Sequence, residues 1–388
     1  GKGGLVATLA EMAFGNGIGF TVSSDVSSED LFALRYGAIV VETDAEKGAQ
    51  WARQLNAVAV VAQTIEEPAA VAGDVRISLS ELQTAWEKTL SRIFPLQSQS
   101  ADGSAELPLY TTYGPKRSES FGKPRVFIPV CPGTNCEYDS ADAFEAAGAV
   151  TDTFIIRNET PQALEDSIEE MRKRIGQAQI IMFPGGFSAG DEPEGSGKFI
   201  ATLFRNPALA EALESLLYKR DGLVLGVCNG FQALIKLGLL PYGHIQPLKA
   251  DSPTLTYNTI GRHLSRMVDT KVVSVMSPWF ANAKAGDIHT VAISHGEGRF
   301  VASPEQVRQL AAKGQIATQY VDLNGKATYD STFNPNQSVF AVEGITSPDG
   351  RVLGKMAHTE RYTGETMFRN IDGNKVQPIF AAGTEYFK

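Results

Sequence analysis

A cysteine between two glycines is the first feature of this sequence with the residue types for covalent chemistry. The stretch G-V-C-N-G around Cys228 follows the apolar run "LVLGV" and opens the helix-like segment "NGFQALIKLG". This G-x-C-x-G pattern is typical of a nucleophile elbow, a sharp strand-to-helix turn where glycines relieve crowding around the reactive side chain. The free N–H groups at the start of the helix favour the reactive thiolate. A small core residue at a tight turn is the competing interpretation, and the local pattern leaves the two about even.

A nucleophilic cysteine needs a base, and the chain has five histidines. His358 lies two residues before Glu360, directly after the predicted strand "RVLGKMA". Because residues two apart in an extended segment project to the same side, Glu360 is placed to orient the imidazole and stabilise its charged form. An H-x-E spacing also occurs by chance, so it supports this assignment only modestly. His295, in the glycine-containing turn "SHGEGRF", is a second histidine that could line the same site.

Backbone donors for a developing oxyanion are indicated by the turn "PGGFSAGD". Gly185 and Gly186 there end the predicted strand "QIIMF". Glycines let N–H groups face an incoming carbonyl, and one such donor is worth ~10²–10³ in rate. An ordinary glycine-rich turn explains this pattern equally well. Gln232 lies one helical turn beyond Cys228 on the same face, where it either contacts substrate or faces solvent.

The elements that must position these residues follow an α/β pattern from residue 124 onward. Short apolar strands alternate with amphipathic helices, which predicts a doubly wound, mostly parallel sheet covered by helices on both faces. In such sheets functional residues collect at the carboxyl ends of the strands. The turns "FPGGFSAGD" and "GVCNG" both lie at such ends, so we expect the cysteine and the glycine pair to be neighbours.

The region before residue 95 mixes helices and strands and predicts a partial α+β lobe. It includes the helix "GLVATLAEMAF", the strand "YGAIVVET" and a helix over residues 80–94 with Ser80 as its N-cap. Residues 95–123 are rich in Ser, Pro and Gly and lack periodicity, which is typical of a linker. We therefore predict domains at 1–94 and 124–388 joined by the linker 95–123. The chain begins with Gly1 inside a helix-like pattern, which predicts a piece of a longer polypeptide.

Composition excludes several classes of function. The 388 residues carry a formal net charge of −9 without a long basic run, which argues against nucleic acid as a partner. No apolar run approaches ~18 residues, so no membrane span is expected. Three cysteines favour a reducing compartment, here the cytoplasm. Cys131 and Cys136 in "CPGTNC" have no second Cys or His pair, so we predict a strand-to-helix loop and no metal site.

Residues 124–388 resemble the class I, or triad, glutamine amidotransferases, which have a flavodoxin-like fold. The motifs that carry the resemblance are "PGTNCEYD", "PGGFSAGD", "GVCNGFQ", "SHGEGRF" and "GKMAHTER". The resemblance implies that Cys228 is the nucleophile, His358 the base and Glu360 its supporting acid. It also implies a set of residues that form the oxyanion hole or contact glutamine: Gly185, Gly186, Phe187, Asn229, Gln232 and His295.

The motifs "GVCNGFQ" and "SHGEGRF" are similar to one branch of this family, which supplies ammonia to an amidine-forming ligase of purine biosynthesis. The resemblance implies glutamine as the substrate and no cofactor for the glutaminase itself. It implies partner synthetase domains upstream in the same chain, which use ATP and Mg²⁺ to act on formylglycinamide ribonucleotide. Residues 1–94 are similar, more weakly, to the C-terminal lobe of an aminoimidazole-ribonucleotide-synthetase-like domain.

Two other functions remain open at this point. One is a different cysteine hydrolase on the same fold, acting on γ-glutamyl peptides. The other is an inactive docking module, which a complete Cys-His-Glu set makes less favoured than catalysis. Comparing glutamine with γ-glutamyl peptides as substrates separates the first alternative. Labelling of Cys228 by a glutamine analogue separates the second.

Overall fold

The computed structural model describes residues 3–55, 58–114, 120, 122–190, 196–362, 364, 368 and 370–388. The chain divides into two compact units, Gly1–Leu96 and Gln97–Lys388. The first unit therefore ends close to the predicted boundary at residue 94. No helix in the described residues combines the length and the apolar character that a membrane span requires.

The first unit is a small α+β structure. Its described helices are α1 (Gly4–Phe14), α2 (Ser28–Phe32), α3 (Ala45–Gln54) and α4 (Leu79–Lys88), and its strands are β1 (Gly19–Val22), β2 (Ala62–Ile65), β3 (Ala69–Ala72) and β4 (Val75–Ser78). The strands form one sheet in the order β2-β1-β3-β4, in which only the β1–β3 pair is parallel. A mixed lobe was predicted here, and its kinship to a synthetase stays a prediction.

Two local predictions for the first unit are wrong. The segment "YGAIVVET" forms no strand, and Tyr36 and Ile39 within it are 86% and 85% exposed. The β-branched run has no neighbouring strand to pair with in the described part of the unit, so propensity alone does not make it a strand. Helix α4 begins earlier than expected, because the Ser78 hydroxyl rather than that of Ser80 accepts the N–H of Glu81.

The second unit contains the rest of the regular structure. Its helices are α5 (Glu137–Ala146), α6 (Pro161–Gln177), α7 (Lys198–Phe204), α8 (Pro207–Lys219), α9 (Asn229–Leu237), α10 (Leu239–Tyr242), α11 (Pro304–Ala312) and α12 (Ile379–Glu385). Its first strands are β5 (Arg125–Val130), β6 (Val150–Ile155), β7 (Ile180–Phe183), β8 (Leu223–Val227), β9 (Thr254–Thr256) and β10 (Leu264–Val272). The later strands are β11 (Ile288–His295), β12 (Arg299–Val301), β13 (Ile316–Val321), β14 (Val342–Thr346) and β15 (Val352–Lys355).

Nine of these strands form one sheet in the order β11-β10-β13-β14-β15-β8-β7-β5-β6. The five strands from β15 to β6 are parallel to one another, as the βα alternation predicts. The four strands from β11 to β14 extend the sheet in antiparallel pairs. The α/β class with a mostly parallel sheet is therefore confirmed. The later strands were predicted from the sequence, but their antiparallel order in the sheet was not.

The winding of the parallel part follows from its strand order. The chain passes from β5 to β6 in one direction, then from β6 across β5 to β7 and on to β8 in the other. Because βαβ crossovers are right-handed, opposite directions place the connecting helices on opposite faces. Helix α5 therefore covers one face, while α6 and α8 cover the other. The carboxyl ends of β5, β7, β8 and β15 meet along one edge.

The predicted linker 95–123 is in part a packed segment of the second unit. Ala105 and Leu107 are buried, and the N–H of Tyr110 donates to Val273 O at 2.8 Å. The amide of Gln319 also donates to the Ala105 carbonyl at 2.7 Å. The interpretation as a linker is wrong for these residues, because they form hydrogen bonds with the sheet. The sequence did not reveal this, since the segment lacks the alternation of apolar and polar residues that is typical of a strand. Residues 115–119 and 121 lie outside the described residues.

Candidate active site

The turn between β8 and α9 has the conformation of a nucleophile elbow. Cys228 takes φ 51° and ψ −105°, a backbone state that costs energy for a residue with a Cβ. A Cβ at Gly226 would lie 2.6 Å from the Leu234 side chain, and one at Gly230 would lie 2.0 Å from the carbonyl oxygen of Phe183. Both glycines are therefore required, as the G-x-C-x-G pattern predicts, because strand and helix approach too closely for any side chain.

The Cys228 thiol is buried at this turn. It donates a weak hydrogen bond from Sγ to the carbonyl oxygen of Ser294 on β11 at 3.6 Å. The pKa of the thiol is raised to about 12, mainly by burial; the charges of Cys136 and Glu360 contribute to the rise, and the N–H of Asn229 opposes it. The N–H of Asn229 at the helix start lowers the pKa, as the sequence predicts, but the cost of burying the charge raises the pKa by more. The resting nucleophile is a neutral thiol.

His358 and Glu360 are in direct contact. The Nδ1 atom of His358 lies 2.6 Å from Oε1 of Glu360, and both side chains are buried. Burial raises the pKa of Glu360, but the charge of His358 and its hydrogen bond outweigh burial, so that the net shift is downward. An ionised Glu360 fixes the Nδ1 proton, which leaves Nε2 as the basic atom. Nε2 has no hydrogen-bond partner in the described part of the chain.

The contact arises in a different way from the predicted one. Thr359–Arg361 is a short 3₁₀ turn rather than an extended segment. The carboxylate of Glu360 reaches back to the imidazole across that turn, so the pair does not depend on two side chains projecting to one side of a strand.

Strand β11 contacts both the cysteine and the histidine. The N–H of His358 donates to Ala292 O at 2.8 Å, and the thiol of Cys228 points to the carbonyl of Ser294. Ala292 and Ser294 are two residues apart on β11, so they share one side of the strand. The structure thus places the nucleophile and base candidates beside neighbouring residues of β11, and no hydrogen bond joins Sγ of Cys228 to Nε2 of His358 in the described residues.

The glycine pair after β7 forms one wall of the site. A Cβ at Gly185 would lie 2.7 Å from Cε1 of His358, so this backbone packs against the imidazole. Gly186 has φ 143°, and its N–H makes no bond to the described residues. The N–H of Phe187 instead donates to Gly133 O at 2.8 Å. Gly186 can therefore supply an oxyanion donor, whereas the N–H of Phe187 is not available as one in this structure, and a contact of Phe187 with glutamine stays a prediction.

Asn229 and Gln232 link the loops around the elbow. The amide of Gln232 donates to the carbonyl of Glu297, and its oxygen accepts from Nδ2 of Asn229 at 3.0 Å. The oxygen of Asn229 in turn accepts the N–H of Ser188 at 3.2 Å. Gln232 is only 3% exposed, so a solvent-facing side chain is wrong. Both ends of the Gln232 amide are bonded to the protein and connect these loops in this structure, and a contact of Gln232 with glutamine stays a prediction.

His295 lies beside this cluster at the end of β11. It is buried, and a Cβ at Gly298 would lie 2.3 Å from its Cε1 atom. Burial, together with the neighbouring His358 and His263, lowers the pKa of His295 to about 3. Neither ring nitrogen has a hydrogen-bond partner in the described residues. His295 is therefore a buried neutral side chain next to Ser294, whose carbonyl accepts from the Cys228 thiol, and a contact of His295 with glutamine stays a prediction.

Three residues near the site were not identified from the sequence. Cys136 Sγ lies 3.8 Å from Nδ1 of His358 and accepts from the Arg361 guanidinium at 3.5 Å. His263 packs against Phe187 with ring centroids 6.0 Å apart. The available signals were the position of Cys136 beyond the carboxyl end of β5 and that of Arg361 next to Glu360. His263 had no local signal, because β10 places it there by sheet pairing.

A metal ion is one conceivable occupant of the buried triplet Cys136, His358 and Glu360, whose donor atoms all lie within 4.8 Å of one another. The 2.6 Å contact of Nδ1 with Glu360 is a hydrogen-bond distance that a shared ion would have to open. The Arg361 guanidinium at Cys136 Sγ adds a positive charge that opposes a cation. The donor set therefore fits a hydrogen-bonded catalytic group better than a metal centre.

A family model, the CobB/CobQ-like glutamine amidotransferase domain, matches residues 123–387. The chain belongs to this family. The match confirms the resemblance that the motifs indicate and makes this protein an enzyme of the glutamine amidotransferase type. It begins at residue 123, so it does not describe the first unit.

Relatives of the amidotransferase are phosphoribosylformylglycinamidine synthase subunits. The PurQ subunit of Methanococcus maripaludis is 35% identical over 245 residues, which are 61% of this chain and 82% of the relative. The PurQ subunit of Aquifex aeolicus is 31% identical over 249 residues, 63% of this chain and 94% of the relative. The solved structure of PurLQS from Thermotoga maritima is 25% identical, with a TM-score of 0.49, and covers 69% of this chain and 100% of that chain.

Proposed function

We propose that this amidotransferase is the glutaminase part of a phosphoribosylformylglycinamidine synthase. The observation that carries the proposal is the convergence of the Cys228 elbow and the buried His358–Glu360 pair on neighbouring residues of β11. This arrangement supplies a nucleophile, a base with a free Nε2 and an acid that supports the base. The PurQ identity of the relatives supports glutamine as the substrate.

The first half of the reaction forms a thioester. His358 Nε2 takes the proton of the Cys228 thiol as sulfur attacks the side-chain amide carbon of glutamine. The oxygen of the tetrahedral intermediate is held by N–H groups, for which Gly186 and Asn229 are the candidates. When the C–N bond breaks, the imidazolium returns its proton to the leaving nitrogen and ammonia is released. Ionised Glu360 stabilises the imidazolium throughout.

The second half hydrolyses the γ-glutamyl thioester. His358 takes a proton from water, the hydroxide adds to the thioester carbon, and the C–S bond breaks with return of the proton to sulfur. Glutamate leaves and the neutral thiol is restored. Because the pKa of the Cys228 thiol is high, protonation of the leaving sulfur is favourable, so His358 acts as the acid in this step as it acts as the base in the first.

We propose that the ammonia is used by synthetase domains of the same enzyme to convert formylglycinamide ribonucleotide to the amidine. The PurQ and PurLQS names of the similar proteins support a synthetase partner. ATP and Mg²⁺ would act in that synthetase, and no step of the glutamine hydrolysis uses them. A cytoplasmic location agrees with this pathway and with three cysteines that are all unpaired.

Two measurements on the 388-residue chain test the proposal. Glutamine is incubated with the protein, and released ammonia and glutamate are quantified. In parallel, a chloroketone analogue of glutamine is added and the labelled cysteine is identified by peptide mass spectrometry, which does not depend on full turnover. We expect label on Cys228 and loss of both signals in Cys228→Ala.

Cys131→Ala is the matched control for this experiment, because it removes another buried thiol that lies outside the catalytic group. It should keep both signals. Unlabelled Cys228 together with intact glutamine would show that the chain is not a glutaminase, and turnover of γ-glutamyl peptides but not of glutamine would assign it to another hydrolase class.

A further inference from the structure

A fully buried ion pair lies behind the loop that carries His358. Nζ of Lys355, the last residue of β15, lies 3.5 Å from Oε1 of Glu343 on the antiparallel neighbour β14, and both side chains are 0% exposed. A buried charge pair of this kind is costly to desolvate and is weak evidence for stability by itself. The hydrogen bonds that the two charged groups make with the surrounding loop indicate a different role for the pair.

The pair bonds to the residues on either side of His358. The Lys355 ammonium donates to the carbonyl of Ala357 at 2.7 Å and to the hydroxyl of Thr359 at 2.9 Å. Glu343 Oε1 accepts the N–H of Ala357 at 2.7 Å. Both polar groups of the Ala357 backbone and the Thr359 side chain are thus fixed by two charges. The loop can move only if charge-assisted hydrogen bonds are broken in a dry interior.

The same lysine also contacts the elbow. The N–H of Cys228 donates to the carbonyl oxygen of Lys355 at 2.9 Å, because β15 and β8 are parallel neighbours with Lys355 opposite Val227. The main chain of Lys355 therefore holds the nucleophile while its side chain holds the loop of the base. This residue is therefore bonded directly to Cys228 and to the two residues that flank His358.

We propose that Lys355, with Glu343 as its counter-charge, is a positioning residue that fixes His358 relative to Cys228. The inference rests on the proposed glutaminase function and adds two residues that touch neither the substrate nor the reacting atoms. Displacement of a catalytic group by about 1 Å can cost ~10²-fold in rate. Bonds that restrict the motion of this loop therefore have a large effect on turnover. The remaining acceptor of the pair, Oε2 of Glu343, is satisfied by the hydroxyl of Thr318, so the network is complete.

The test uses three variants in the 388-residue chain. Lys355→Met keeps the length of the side chain and removes its donors. Glu343→Gln keeps an acceptor for the Ala357 N–H, and the double variant Glu343→Gln/Lys355→Met leaves no unpaired charge. Lys271→Met is the control, because it breaks the half-buried Lys271–Glu106 ion pair, at 3.0 Å, on another strand of the sheet.

The readouts are kcat and KM for glutamine, the thermal midpoint, and the rate at which iodoacetamide alkylates Cys228. We expect the double variant to regain most of the thermal midpoint lost in Lys355→Met, since neutralising both partners removes the unpaired buried charge. Its kcat and its alkylation rate should stay at least about tenfold low, with KM within about twofold of the parent, because the base remains misplaced. Lys271→Met should keep kcat and the alkylation rate of the parent.

A merely structural role predicts another pattern, in which the double variant regains kcat and alkylation together with the thermal midpoint. That result would overturn the inference. If the parent chain does not hydrolyse glutamine, the proposed function fails, but alkylation of Cys228 still tests the inference. Equal alkylation rates in the parent and Lys355→Met would then reject it.

Discussion

Nδ1 of His358 lies 2.6 Å from Oε1 of Glu360 in a pair of buried side chains, while Nε2 on the far side of the ring has no partner in the described residues. This asymmetry assigns the two nitrogens different tasks. Nδ1 keeps its proton against the carboxylate, and Nε2 is left to exchange protons with the thiol and with the leaving group. The role of the acid is therefore to fix the tautomer and to stabilise the imidazolium.

Replacing the acid tests that role. Glu360→Gln keeps the size of the side chain but removes the negative charge and can hold the wrong tautomer of His358. We expect kcat for glutamine hydrolysis to fall about 10²-fold or more, with KM changed by less than about threefold, because general base catalysis of this kind is worth ~10²–10⁴. The measurement is steady-state release of glutamate. A kcat within twofold of the parent would remove Glu360 from the mechanism.

The pH dependence of Cys228 alkylation follows from its raised pKa. Burial raises the pKa of this thiol to about 12, so the thiolate fraction grows with pH throughout the neutral and mildly alkaline range. We expect the rate of reaction with iodoacetamide to rise roughly tenfold per pH unit between about pH 7 and 9, without a plateau. Peptide mass spectrometry follows the label. A plateau below about pH 8 would instead indicate a thiolate at rest, as the helix start alone predicts.

Replacement of a glycine by alanine should have opposite effects on stability at Gly230 in α9 and at Gly176 in α6. A Cβ at Gly230 would lie 2.0 Å from a backbone oxygen that cannot move aside, so Gly230→Ala should destabilise the second unit by about 1–3 kcal/mol and impair the elbow. Gly176, near the end of α6, has open space around its Cα, so Gly176→Ala should stabilise by about 0.5–1 kcal/mol. Thermal midpoints of the two variants give the comparison. A neutral Gly230→Ala would contradict the packing described at the elbow.

Local sequence patterns predicted the parts of the site that depend on short-range geometry. The glycines around Cys228 predicted the elbow, because a strand-to-helix turn constrains only its immediate neighbours. The alternation of strands and helices predicted the parallel part of the sheet. The motif with His358 and Glu360 predicted their contact, although the chain makes it through a 3₁₀ turn rather than an extended segment.

Long-range packing decided the features that the sequence did not reveal. The N–H of Phe187 bonds to Gly133, more than fifty residues earlier, so no local pattern shows that it is unavailable to an oxyanion. The high pKa of Cys228 comes from burial by the whole sheet and its helices. Cys136 reaches His358 only because β5 and β15 end at the same edge. The run "YGAIVVET" has strand propensity but has no partner strand among the residues that the structure describes.

Acid-quenched mass spectrometry can show whether Cys228, rather than another cysteine, carries the γ-glutamyl group. Cys136 is the relevant rival, since its Sγ lies 3.8 Å from Nδ1 of His358. The chain is mixed with isotope-labelled glutamine, quenched within the first turnover and digested. We expect one labelled γ-glutamyl group on the Cys228 peptide and none on the Cys131 and Cys136 peptides. Label on Cys136, or glutamine consumption with no thioester on Cys228, would contradict it.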